Sequence, residues 1–88
     1  MNVAEIFYQS GELQCRFACY LSGDGAQAIR HGRFASYHRN GQLASEGSYV
    51  NGFEDGVWRN YHDNGELAVE GCYGEGEKIG TWRYWERG

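Results

Sequence analysis

The sequence contains no proline and no long apolar run. Without proline its turns must come from glycine, asparagine and aspartate, and a stiff polyproline linker is excluded. No segment approaches the roughly 20 apolar residues of a membrane-spanning helix. Met1-Asn-Val-Ala-Glu-Ile has neither the basic start nor the apolar run of a secretory signal. Cysteine is scarce and odd in number, at Cys15, Cys19 and Cys72. That argues against a disulfide framework and for reduced thiols, so a cytoplasmic location is expected.

Positive charge is also sparse. Eight Lys and Arg stand against twelve Asp and Glu, a net charge of −4, and only Arg30-His31-Gly32-Arg33 is locally basic. Nucleic acids and anionic membranes both require a concentrated cationic surface, so neither is expected as a partner. An acidic surface favours a basic protein instead.

What the chain has is glycine, at 14 positions, and rings, at 16% of residues with 7 Tyr and 3 Trp. Mean hydropathy is nevertheless −0.70. Residues 1–88 are expected to form one domain, near the lower size limit for a stable core. A polar, ring-rich chain suits a thin sheet better than a two-layer domain with an aliphatic interior.

The glycines and rings recur at a period of 24. Residues 32–55 and 56–79 align without a gap. They share Gly32/Gly56, Tyr37/Tyr61, His38/His62, Asn40/Asn64, Gly41/Gly65, Leu43/Leu67, Ala44/Ala68, Glu46/Glu70, Gly47/Gly71, Tyr49/Tyr73 and Gly52/Gly76. Phe34, Trp58 and Trp82 fall on one register, and Tyr37, Tyr61 and Trp85 on another. Such a period signals stacked units, each contacting mainly its neighbours. Strands are expected at Arg33–His38, Gln42–Tyr49, Val57–His62, Glu66–Tyr73 and Thr81–Glu86, with a half repeat at 80–88. Residues 5–31 read as a degenerate first repeat: Gly11-Glu-Leu13 matches Gly41-Gln-Leu43, but Phe17 replaces Gly47.

Asn40-Gly41 and Asn64-Gly65 predict two-residue type I′ turns, with Asn51–Gly56 and Glu75–Gly80 as longer connections. The Asn64-Gly65 loop places Trp58 opposite Gly71, Arg59 opposite Glu70 and Tyr61 opposite Ala68. A three-residue loop bulged at Gly65 would place Tyr61 opposite Leu67. Trp58 lying over Gly71, and Phe34 over Gly47, would restore packing where the strand has no side chain. Ser22–His31 reads as a long loop with room for one helical turn at Ala26–Arg30.

Tyr-x-x-Asn-Gly-x-Leu-x-x-Glu-Gly-x-Tyr, present at 37–49 and 61–73, resembles the bacterial MORN-variant repeat. Glu46 to Trp58 likewise resembles the MORN spacing Gly-x-Tyr-x-x-Gly-x-x-x-Gly. The resemblance implies an all-β fold: a single elongated, twisted antiparallel sheet of consecutive hairpins, with about seven strands. It implies scaffolding or membrane association for the eukaryotic proteins, and antitoxin or immunity roles for the bacterial variant. It implies no catalytic residues.

The residues themselves point the same way. His38 and His62 are two strands apart, about 10 Å, too far for a shared ligand sphere unless their side chains converge. Cys15 and Cys19 lack a second pair, so no metal or other cofactor is expected. Glu46 and Glu70 read as partners of arginines such as Arg59 rather than as a catalytic pair. Gly74–Gly80 lacks the lysine and hydroxyl of a phosphate loop.

A non-enzymatic module that binds and neutralises another protein is therefore expected, its partner a basic toxin or a host factor, in a bacterial or phage setting. The candidate binding residues are Trp82, Tyr84 and Trp85 on the last strand and Asp24, Arg30 and His31 where the repeat breaks. Trp58, Gly71, Phe34, Gly47, Tyr37, Tyr61, Gly41 and Gly65 read as structural. A nucleotide or other small-ligand sponge at a protomer interface, and a scaffold that dimerises through the last strand, are the alternatives.

Overall fold

A computed structural model describes residues 2–87; Met1 and Gly88, the ends of the expected domain, lie outside them. Seven strands follow one another: β1 (Asn2–Phe7), β2 (Leu13–Leu21), β3 (Ala28–Tyr37), β4 (Leu43–Val50), β5 (Phe53–Tyr61), β6 (Leu67–Gly74) and β7 (Glu77–Tyr84). They form one open antiparallel sheet in the order β1-β2-β3-β4-β5-β6-β7, with no helix among the described residues. Ala26–Arg30 therefore makes no helical turn, since β3 is extended from Ala28.

The sheet is a slab of 47 × 37 × 15 Å. Its radius of gyration of 14.1 Å exceeds the about 12 Å of a compact 88-residue domain. Its accessible surface of 5836 Å² exceeds the about 5,200 Å² usual for its mass. Cys15, Phe17, Cys19 and Trp58 are the buried apolar side chains, and none of the described residues is fully enclosed. A single layer leaves little to bury, so stability rests on rings laid along one face and on hydrogen bonds between hairpins.

The turns reverse the expected assignment. Asn40 and Asn64 keep negative φ, while Gly41 and Gly65 alone reach φ of 89° and 91°. His62 N–H donates to Glu66 O at 2.8 Å and Gly65 N–H to His62 O at 2.9 Å, closing a three-residue loop with glycine in the left-handed position. The Asn64 side chain accepts from Glu66 N–H at 3.0 Å, as Asn40 does from Gln42 N–H at 2.9 Å. The two-residue turns lie at the other end of the sheet. Asn51 and Gly52 have φ of 49° and 89°, and Glu75 and Gly76 of 52° and 84°, the positive pair that a type I′ turn requires. The expected long connections are thus tight turns, and their outer residues belong to strands.

Within the β5–β6 hairpin, Val57↔Cys72, Trp58↔Gly71, Arg59↔Glu70 and Asn60↔Val69 pair as expected. A bulge then puts Tyr61 opposite Leu67, the pairing of the bulged alternative, and not opposite Ala68. A second irregularity recurs between hairpins. Pairing slips between Phe17 and Cys19, between Glu46 and Ser48, and between Glu70 and Cys72. The residues facing these slips include Gly32, Gly56 and Gly80, with φ of 109°, 79° and 70°. One glycine bulge per 24 residues therefore marks each junction between hairpins.

Candidate functional site

The glycine bulges redirect the rings. A Cβ on Gly47 would lie 2.6 Å from Trp58 Cγ and closer still to its six-membered ring, and one on Gly71 would meet the Trp82 ring in the same way. Trp58 therefore covers Gly47 of the preceding hairpin rather than its cross-strand neighbour Gly71, which Trp82 covers. The ring-over-glycine device is present, but it joins hairpins instead of closing one. Trp58 Nε1–H donates to Ser48 O at 3.0 Å, whereas Trp82 Nε1–H is buried without a partner among the described residues. Where Phe17 replaces the glycine, Phe34 stacks against it at 6.3 Å instead.

These contacts form a continuous ridge across one face. Phe34, Tyr49, Trp58, Tyr73 and Trp82 follow one another with centroids 5.0–6.1 Å apart. Arg30 caps the ridge at one end, its guanidinium 4.7 Å from the Phe17 ring and 5.5 Å from that of Tyr49. Lys78 caps it at the other, 4.7 Å from the Trp82 ring. Burial raises the Tyr49 hydroxyl above its ordinary value, with the Arg30 charge opposing.

The opposite face is ionic. Glu5, Arg16, Ala35, Glu46, Arg59, Glu70 and Arg83 lie directly opposite one another along the seven strands. Charge alternates along this row, broken only at Ala35. Arg16 meets Glu5 at 2.7 Å and Arg59 meets Glu70 at 2.7 Å. Tyr61 OH donates to Glu46 at 2.6 Å, which raises the tyrosine's titration above its ordinary value. The hydrogen bond from Arg59 to Glu70 likewise raises the guanidinium.

Hydrogen bonds at both ends of the sheet tie each hairpin to the next. His38 Nε2 lies 2.8 Å from Tyr61 O and His62 Nε2 2.9 Å from Trp85 O. A carbonyl can only accept, so both histidines carry the proton on Nε2. Tyr8, the counterpart of His38 in the first repeat, donates to Tyr37 O at 2.7 Å. At the other end Gly52 N–H donates to Arg30 O at 2.8 Å, and Gly76 N–H to Glu54 O at 3.0 Å. No sequence signal singled out the histidines as staples, although their shared repeat position was the available clue.

The candidate binding residues do not form one site. Asp24 sits in a short turn that replaces the expected Ser22–His31 loop, closed by Ser22 N–H to Gln27 O at 2.8 Å. The Ser22 hydroxyl donates to its carboxylate at 2.6 Å and lowers its titration. His31 Nδ1 accepts from Asn51 N–H at 3.1 Å, and Arg30 lies in the ring cage. On β7, Trp82 packs on Tyr73 at 5.0 Å. Tyr84 and Trp85 stay 64% and 42% exposed. The β7 group lies four strands from β3, with Trp85 at the opposite end from Asp24.

The fold is an open, single-sheet repeat protein whose unit is a 24-residue hairpin. Residues 30–51 and 54–74 each match the family model described as the MORN repeat variant. MORN repeats are generally protein- or membrane-interaction modules, and the family is generally non-catalytic. Comparison with curated proteins and with solved structures returns no match.

Proposed function

We propose that the protein binds another protein by accepting a strand on the open edge of β7, and thereby neutralises it as an antitoxin, an immunity protein or a phage-encoded inhibitor would. One observation supports this reading above the others: β7 and the residue after it carry two exposed rings, Tyr84 and Trp85, beside backbone groups that no further strand pairs among the described residues. Backbone pairing would supply affinity and the two rings specificity. The net charge of −4 favours a basic partner and speeds encounter with it.

The test is a pull-down from the source cell, or its host, with wild type and a Tyr84→Ser/Trp85→Ala variant side by side. Recovery of one basic protein at about equal stoichiometry, lost with the variant, supports the proposal. Equal recovery by both proteins moves the site elsewhere, and no stoichiometric partner at all argues against neutralisation.

A further inference from the structure

We infer that the ionic face is a docking surface for a second copy of this chain, in one register. From β4 to β7 the row reads Glu46, Arg59, Glu70, Arg83, a sequence of signs that inverts when reversed. A two-fold axis along the strands, between β5 and β6, lays β4 on β7 of the second copy and β5 on β6. Glu46 then faces the second copy's Arg83, and Arg59 its Glu70, giving four opposite-charge pairs.

Other axes do less: one on β3 also sets Arg16 on Glu46 and Glu5 on Arg59 but leaves Arg83 outside the overlap, and those at the sheet's edges, between β1 and β2 or β6 and β7, overlap only two strands. An axis between β4 and β5 sets Arg16 against Arg83, one between β3 and β4 sets Arg16 against Arg59, and one on any charged strand sets like on like. The break at Ala35 falls just outside the favoured overlap. Charge over four or more strands therefore leaves the β5–β6 axis and the β3 axis, and Arg83, which of these two only the former provides with a partner, decides for it.

Two further observations agree. Arg83 has no ion-pair partner within 4 Å among the described residues, whereas Glu46, Arg59 and Glu70 each have one within the chain. The axis also sets Val57, 48% exposed, against Cys72 of the second copy, adding apolar contact beside the charges. Four strands about 4.8 Å apart cover only about 400–500 Å² per copy, below the about 800 Å² of a standard interface. The dimer is accordingly weak, in the micromolar range, and sensitive to salt.

Sedimentation equilibrium with the full chain tests this. Wild type should dimerise, and raising the salt from about 20 mM to about 500 mM should weaken the dimer at least tenfold. Arg83→Glu, at a position with no internal partner, should abolish dimerisation with the far-UV spectrum unchanged. Glu46→Lys should do the same, and an equimolar mixture of the two variants should restore a heterodimer, because each then presents the charge that the other needs. Glu5→Lys, outside the overlap, should leave the affinity unchanged.

Wild type that stays monomeric at about 1 mM and low salt overturns the inference. So does an Arg83→Glu protein that dimerises like wild type, or a mixture of the two folded variants that stays monomeric. If Glu46→Lys does not fold, Arg83→Glu and the salt series decide alone. The β7 edge stays open in this dimer, so loss of self-association and loss of partner capture remain separate results.

Discussion

Replacing Gly47 by alanine tests whether the rings join hairpins or close them. In a strand, alanine for glycine ordinarily stabilises by about 0.5–1 kcal/mol through the unfolded chain. At Gly47 the sign should invert. The new Cβ would lie 2.6 Å from Trp58 Cγ and closer to the ring, so the indole must lift off the sheet. Overpacking of that kind costs about 1–3 kcal/mol. Lifting the ring also stretches the 3.0 Å bond from Trp58 Nε1 to Ser48 O, worth about 1 kcal/mol. The net expectation is a loss of about 1–3 kcal/mol, a large share of the about 4–13 kcal/mol available to 88 residues. Urea unfolding followed by far-UV circular dichroism measures it, with sulfate added if the variants are marginal.

The decisive result is a double-mutant cycle. In a Trp58→Leu background Gly47→Ala should become neutral or stabilising, because nothing then covers the glycine. Gly71→Ala should stay costly in that background, since the ring above it is Trp82. Coupling of Trp58 to Gly71 and not to Gly47 would refute the inter-hairpin assignment and reinstate a ring that covers its own hairpin. Gly23→Ala, where a Cβ meets nothing within 4 Å, is the control and should change little.

Three further outcomes follow from the same geometry. His38→Ala and His62→Ala should each cost about 0.5–1.5 kcal/mol of unfolding free energy through loss of a bond to the next hairpin. Asn51→Gly should be tolerated and Asn51→Ala costly, because Asn51 has φ of 49°. Asn40→Gly should destabilise through loss of the bond from Gln42 N–H, and thermal melts rank the three. Tyr61 and Tyr49 should ionise above the ordinary tyrosine value when titrated by ultraviolet absorbance, Tyr61 through its bond to Glu46 and Tyr49 through burial, and each contribution should vanish in its Phe variant. A phenol raised on folding adds stability that is complete below pH about 10 and lost as pH climbs through the folded value; Tyr61→Phe should therefore flatten the alkaline decline.

The period and the sheet were legible because spacing alone encodes them. Eleven shared positions at a separation of 24 leave one way to stack hairpins, and pairing from Val57 to Asn60 agrees with the two-residue-loop register because the bulge after Asn60 offsets the third loop residue. The contacts between hairpins were not legible, because a glycine bulge decides them and a bulge shifts register without altering period. Gly32, Gly56 and Gly80 each stand two residues before a ring, and that pair of positions, rather than the ring alone, was the signal available for the junction.

The turns were misassigned for a related reason. Asparagine before glycine serves equally a type I′ turn, where its backbone turns left-handed, and a three-residue loop, where its side chain accepts a backbone bond. The strand residues on either side decide between them. The candidate site follows the same division. Trp82, Arg30 and His31 stood out as unusual residues, yet each is engaged by the rings or backbone of its neighbours. Tyr84 and Trp85 stay 64% and 42% exposed at the β7 edge, where no further described strand covers them. In a stack whose repeats use their rings and histidines on one another, the proposed recognition falls to what the described neighbours leave unengaged: the Tyr84 and Trp85 rings and Arg83, the ladder arginine with no ion-pair partner among the described residues.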